Sequence, residues 1–189
     1  MARSRPLRFL MIFALALSCA VALSACGGDT KHNLRADNEG VYVDIGQLKY
    51  QVQLSRELNP FDNEDSSYLA GLAPRLKALT PAESWFGVFL LVVNKSGQAR
   101  PAAGNFFISD TQGKVYHPTA PSADNAFAYR QATVPAHDQI PTQGSAAANG
   151  PTQGAVQLYK LPLTSFDNRP LILHIIGSAG DRAQVQLDV

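Results

Sequence analysis

Apolar and polar residues divide this 189-residue chain into three zones. Phe9 to Leu23 is apolar apart from Ser18, and Gly27 to Gly40 is polar and charged. From Val41 onward the two kinds alternate. Val41, Val43 and Ile45 alternate with Tyr42 and Asp44. After Gly46, the row Leu48, Tyr50, Val52 and Leu54 alternates with Gln47, Lys49, Gln51 and Gln53. A period of two puts one row on a core and the other in water, so this stretch predicts a half-buried strand with Leu54 facing inward. Trp85 to Val93 is apolar on both faces, which predicts a central strand covered on both sides.

The remaining segments follow from turn chemistry. Residues 55 to 83 break the alternation and form a long polar connection, with acids at Asp62, Glu64 and Asp65. A short helix over Glu64 to Leu72, capped by Asp62 or Asn63, is expected inside it. Asn94 to Gly97 reads as a turn. Asn105 to Ser109 and Lys114 to Tyr116 flank Asp110-Thr111-Gln112-Gly113 as a hairpin. Residues 117 to 154 carry five prolines and two copies of Pro-Thr-Gln-Gly, and read as flexible loop with one short strand near Phe127 to Arg130. Ala155 to Leu161, Leu171 to Ile176 and Arg182 to Val189 predict three closing strands. Seven to nine strands and no long helix give an all-β fold, an antiparallel β-sandwich.

The first zone adds a location. Arg3, Arg5 and Arg8 precede an apolar run of about 15 residues, shorter than the roughly 20 needed to cross a bilayer. It ends in Leu23-Ser24-Ala25-Cys26, which resembles a bacterial lipobox; Ala16 to Cys19 is a weaker match. The resemblance implies a signal peptide over 1–25, removed in the mature protein, and a diacylglyceryl group on Cys26. It places the protein on the outer side of the cytoplasmic membrane, with residues 26–40 as lipidated cysteine and flexible tether, and the domain at 41–189. An uncleaved N-terminal helix is the competing reading.

Composition then narrows the function. The leader holds three of the 16 Lys and Arg and none of the 15 Asp and Glu, so the rest carries 13 against 15, a net of −2. No basic face is indicated, and nucleic acid is not an expected partner. Cys26 is the only cysteine after Cys19, so the domain has no internal disulfide and depends on its core.

Three stretches together, WFGVFLLVVNKSG, NFFISDTQGKVYHP and GPTQGAVQLYKLP with RPLILHI, resemble the immunoglobulin-like domain of unknown function in actinobacterial and other Gram-positive lipoproteins. A mycobacterial secreted immunoprotective antigen shares that fold. Asn94, Phe107, Asp110, Gly113, Tyr116 and Gly154 occupy the motif positions, which are turns and core sites. The resemblance implies an immunoglobulin-like sandwich and carries no catalytic residues.

Candidate chemistry is sparse. His32, His117, His137 and His174 show no metal-ligand spacing, so neither metal nor other cofactor is expected. The six tyrosines lack a haem-capture spacing. Asp62, Glu64 and Asp65 are oxygen ligands of the kind Ca²⁺ takes, but without its loop pattern they read as a solvated helix start. Gly-x-Ser-x-Gly, Ser-x-x-Lys, His-Glu-x-x-His and P-loop patterns are missing, and the expectation is a domain that is not an enzyme. The expected function is non-covalent binding, through loops 56–72 and 117–154, of an envelope protein or an envelope-associated ligand. Phe61, Asp62, Glu64, Asp65 and Tyr68 form the candidate recognition loop, with Phe61 and Tyr68 as its exposed aromatics. A small-molecule or metal-binding lipoprotein is the alternative, and an enzyme without a recognisable motif the third.

Overall fold

The computed structural model describes residues 32–189. The leader, Cys26 and the first part of the tether lie outside them. Its strands are β1 (Arg35–Ala36), β2 (Tyr42–Ile45), β3 (Leu48–Leu58), β4 (Glu83–Asn94), β5 (Arg100–Pro101), β6 (Asn105–Ser109), β7 (Val115–Tyr116), β8 (Pro118–Thr119), β9 (Thr133–Val134), β10 (Gln139–Ile140), β11 (Ala155–Pro162), β12 (Leu171–Ile176) and β13 (Arg182–Leu187). Three short helices join them: α1 (Asn63–Tyr68), α2 (Pro74–Lys77) and α3 (Ala146–Asn149).

Seven of these strands have four residues or more, and they build an immunoglobulin-like antiparallel β-sandwich, as the alternation requires. One sheet runs β1-β13-β12-β6-β7; the other runs β2-β3-β4-β11-β8, with β10 also on β4. A two-stranded β5-β9 ribbon stands apart. The inward rows meet as one apolar cluster that includes Tyr50, Val52, Phe86, Val88, Leu90, Tyr159, Leu173 and Val185.

β4 is buried along most of its length because it is covered twice. Phe86, Val88, Leu90 and Val92 face the other sheet. Trp85 and Phe89 face outward into a second cluster with Leu58, Tyr68, Leu69, Leu72, Val156 and Leu158. The connection after β3 therefore folds back as a lid over the outer face of the sheet. Trp85 donates its indole N–H to the Lys77 carbonyl at 3.0 Å, and Lys160 sits over its ring. Burying a ring of this size while satisfying its N–H is the favourable way to hold such a lid.

The strand expected to end near Leu54 instead runs to Leu58, and Leu54 is 38% exposed. The cause is a β-bulge: Val52 pairs with Leu90 and Leu54 with Phe89, leaving Gln53 as the extra residue. One inserted residue turns every later side chain to the opposite face. Leu58 consequently joins the outer cluster.

The segment 33–40, read from its polarity as tether, is held on the sandwich. Arg35–Ala36 pairs in parallel with β13. Asn33 Nδ2 donates to the Tyr42 carbonyl at 2.8 Å, and the Asp44 N–H donates to the Asn33 carbonyl at 2.7 Å. The Glu39 carboxylate accepts the Ser55 N–H at 2.9 Å, the Asp188 N–H at 3.1 Å and the Ser55 hydroxyl. Backbone pairing makes a polar stretch part of a sheet without an apolar row, so alternation does not reveal it.

Residues 117 to 154 also have more structure than their prolines suggest. β8, β9, β10 and α3 all lie within them. Ser145 caps α3 and Ala147 is buried. Gly154 has φ +120°, and a methyl there would lie 3.0 Å from the Leu90 amide nitrogen, so the second Pro-Thr-Gln-Gly needs its glycine. The strand expected near Phe127 to Arg130 reduces to one bridge, Ala128 to Val156.

Candidate functional site

The bulge in β3 also creates the best-built polar group of the domain. It turns Arg56 to the outer face, where its guanidinium lies over the Phe89 ring and forks onto Asp65 at 2.6 and 3.0 Å. Asp65 is 5% exposed and also accepts the Asn59 N–H at 2.7 Å. Burial pushes the Asp65 carboxyl up, but the Arg56 guanidinium and the Asn59 amide outweigh it and hold it below the usual range. Burial likewise works against the Asp110 carboxyl, and the Tyr116 hydroxyl with the Lys114 and Gln112 amides overcomes it. Two carboxyls lowered in this way stabilise the fold fully above about pH 4 and lose that contribution as pH falls through their folded values. Glu39 has the opposite sign, because burial raises it; its contribution is full below the usual range and fades as pH rises through the folded value. The melting temperature is expected to drop between about pH 4 and pH 2, and Asp65→Asn to remove part of that slope, measured by circular dichroism.

The five residues of the candidate loop divide into two groups. Asp62 caps α1, accepting the Glu64 and Asp65 N–H groups at 2.8 and 3.1 Å. Glu64 accepts the Tyr68 hydroxyl at 2.7 Å and the Thr152 hydroxyl at 2.9 Å. Tyr68, expected as an exposed aromatic, is 1% exposed and stands edge-on to Phe89 and Phe127. Its position one helical turn after Glu64 aims it into the second core rather than at solvent. The helix ends at Tyr68, short of Leu72; Gly71 has φ +77°. Asn125 ties it down, donating to the Tyr68 and Ala70 carbonyls at 2.9 and 2.8 Å.

Phe61 is the exception, 95% exposed at the tip of the turn. Its N–H donates to Asn59 Oδ1 at 3.0 Å, and the Asp62 N–H donates to the Asn59 carbonyl at 3.0 Å. The tip is thus a braced turn carrying an unpacked ring.

Its place in the sandwich follows from pairing. Residues 32–33 lie beside Asp44, near the β2–β3 turn. Phe61 follows Leu58, ten residues further along β3, where the strand pairs with Trp85 at the start of β4. A strand of that length spans about 35 Å. The chain enters the domain at one end, and Phe61 stands at the other.

The motif positions have structural roles. Asn94 is fully buried and donates to the Gln98, Val134 and Pro135 carbonyls at 2.7, 3.0 and 2.9 Å. Asp110 accepts the Gln112 and Lys114 N–H groups at 2.9 Å each and the Tyr116 hydroxyl at 2.8 Å. Burial and the Asp110 carboxylate push the Tyr116 hydroxyl up to about 12. The Asp-x-x-Gly-x-x-Tyr spacing is therefore a hairpin lock, with Gly113 at φ +78°.

One Ser–His pair escapes a sequence reading because its members are 65 residues apart. Ser109 Oγ lies 2.8 Å from His174 Nε2, and the His174 ring stacks on Phe107 at 4.3 Å. The other ring nitrogen faces the Gln184 amide nitrogen at 3.4 Å, with no carboxylate on it among the described residues. The pair therefore differs from a Ser-His-Asp triad in having a carboxamide where the triad has its carboxylate. Burial, with Arg182 nearby, lowers the His174 imidazole. Among the described residues no three His, Cys, Asp or Glu side chains gather to hold a metal ion.

No family model matches the chain, and no curated protein does. Solved structures share its shape. A protein of unknown function from Listeria monocytogenes EGD-e superposes with a TM-score of 0.51 at 8% identity, over 82% of this chain and 84% of that one. The yjhA protein of Bacillus subtilis gives 0.48 at 10% identity, over 80% and 99%. An uncharacterised β-sandwich protein from Clostridium difficile 630 gives 0.45 at 9% identity, over 84% and 99%. At 8% identity the likeness to the Listeria protein is one of fold alone.

Proposed function

We propose that the chain is a lipid-anchored protein of the bacterial envelope, of the Gram-positive immunoglobulin-like lipoprotein type, whose sandwich binds an envelope protein without catalysing a reaction. The anchor rests on Leu23-Ser24-Ala25-Cys26 and the charged, apolar leader before it. Two acyl chains on Cys26 give stable attachment, each buried CH₂ contributing about 0.8 kcal/mol. Phe61 is the observation that carries the binding reading: a nearly fully exposed ring on a turn braced by Asn59 and the Arg56–Asp65 pair.

A rigid aromatic costs little entropy to immobilise and suits the centre of a protein interface. From Cys26 to His32 the chain can extend about 20 Å at most. Residues 32–33 lie at the end of the sandwich opposite Phe61, so an anchor on Cys26 leaves the ring able to face away from the bilayer.

Deleting 56–72 would strip Leu58, Tyr68, Leu69 and Leu72 from the second core, so a point change is the cleaner test. Phe61→Ser is expected to leave the melting temperature within about 1 °C, as surface changes do, and to abolish recovery of the partner in pull-downs from membranes. Equal recovery by both proteins would exclude Phe61 as the contact.

A further inference from the structure

A second site lies on the flank of the sandwich, where β11 pairs with Phe86 to Phe89 of β4. β11 is bordered there by two short pieces: β8 opposite Leu158 and Tyr159, and Phe127 to Tyr129 opposite Val156. Between the pieces is a cleft of about 150 Å³. Pro118, Pro121, Tyr129 and Leu158 give it apolar walls. Gln157, Thr119 and Gln131 bring polar groups, and no charged side chain lines it.

These polar groups have capacity to spare. Gln157 is buried, and its Oε1 accepts the Tyr159 hydroxyl at 2.7 Å. Its amide nitrogen has no protein acceptor among the described residues and is open to solvent, so its N–H groups are free to meet a guest. The Thr119 hydroxyl likewise has no protein partner among them. Gln131 uses only its nitrogen, on the Ala102 carbonyl at 3.3 Å, which leaves its oxygen free to accept. At the mouth, the Gln131 carboxamide lies so close over Gly104 that a methyl group there would collide with it.

We propose that this cleft binds a small uncharged amide, of the size and chemistry of the acetamido group on an N-acetylated sugar. The volume is below the roughly 300–1,000 Å³ of drug-sized sites but matches cavities that hold a six-atom ring. The absence of lining charge argues against an ion. A donor in Gln157 and acceptors in Gln131 and Thr119 match an amide's carbonyl and N–H, and the proline and tyrosine walls match its methyl. A guest that pairs these groups exchanges water for protein hydrogen bonds, each contributing about threefold to tenfold in affinity, in addition to its apolar contact.

Saturation-transfer NMR on the full-length protein in detergent tests this, with N-acetylglucosamine as probe and glucose as control. The acetamido methyl is expected to receive saturation and glucose to receive none. Gln157→Leu and Thr119→Val are each expected to weaken binding about threefold to tenfold, the loss of one hydrogen bond. Thr119→Val keeps the side chain's shape, so it remains informative if loss of the Tyr159 partner disturbs Gln157→Leu. Phe61→Ser is expected to bind the sugar normally, which separates this site from the protein-binding surface. Equal transfer to both sugars, no transfer to either, or unchanged affinity in both cleft variants would overturn the proposal and leave the cleft a water site.

Discussion

Asp65→Ala is expected to lower the melting temperature by about 6–12 °C. The change leaves the Arg56 guanidinium on the Phe89 ring without its partner and the Asn59 N–H without its acceptor. Breaking a buried pair costs about 3–5 kcal/mol; because Arg56 is about a third exposed, the lower end applies, about 3 kcal/mol. At this size each kcal/mol moves the transition by about 2–4 °C. Arg56→Ala is expected to cost at least as much, since it strands the more deeply buried carboxylate. The double variant should lose less than the sum, because each single change already breaks the same contact. Thermal melts followed by circular dichroism read all three; a shift below about 2 °C for Asp65→Ala would mean the pair does not brace the lid.

Cys26→Ala is expected to move the protein from the membrane fraction to the soluble fraction. Without the thiol there is no acceptor for the lipid, and one apolar segment of about 15 residues is too short to span. Fractionation and immunoblotting check it. Firm membrane association of Cys26→Ala would mean the leader stays attached as an uncleaved helix.

The scaffold was legible in the chain because period-two alternation reports burial directly. β4 between two covers, the β6–β7 hairpin and the three closing strands all occur where the pattern puts them. Five features were not legible, each for its own reason. The bulge at Gln53 is a matter of register, and nothing local distinguishes Gln53 from Gln51. Its consequence, Arg56 meeting Asp65, is therefore hidden too. Segment 33–40 joins the sheet by backbone pairing, to which hydropathy is blind. The acids at 62–65 look like a solvated cluster, yet each carboxylate is engaged: a cap, a hydroxyl acceptor and an ion pair. Of the two aromatics expected on the loop, only Phe61 is at the surface, and α1 turns Tyr68 inward. The cleft over β11 joins residues from 104 to 158, which no sequence spacing could announce.

Phe61, at the end of the sandwich opposite residues 32–33, is the proposed contact with a protein partner in the envelope. Site-specific photo-crosslinking in intact cells tests it most directly, with the reactive residue placed at Phe61 or at Gly97 beyond the far end of β4. A discrete, higher-mass adduct is expected from position 61 and none from position 97. Adducts from 97 alone, or identical patterns from both, would contradict it.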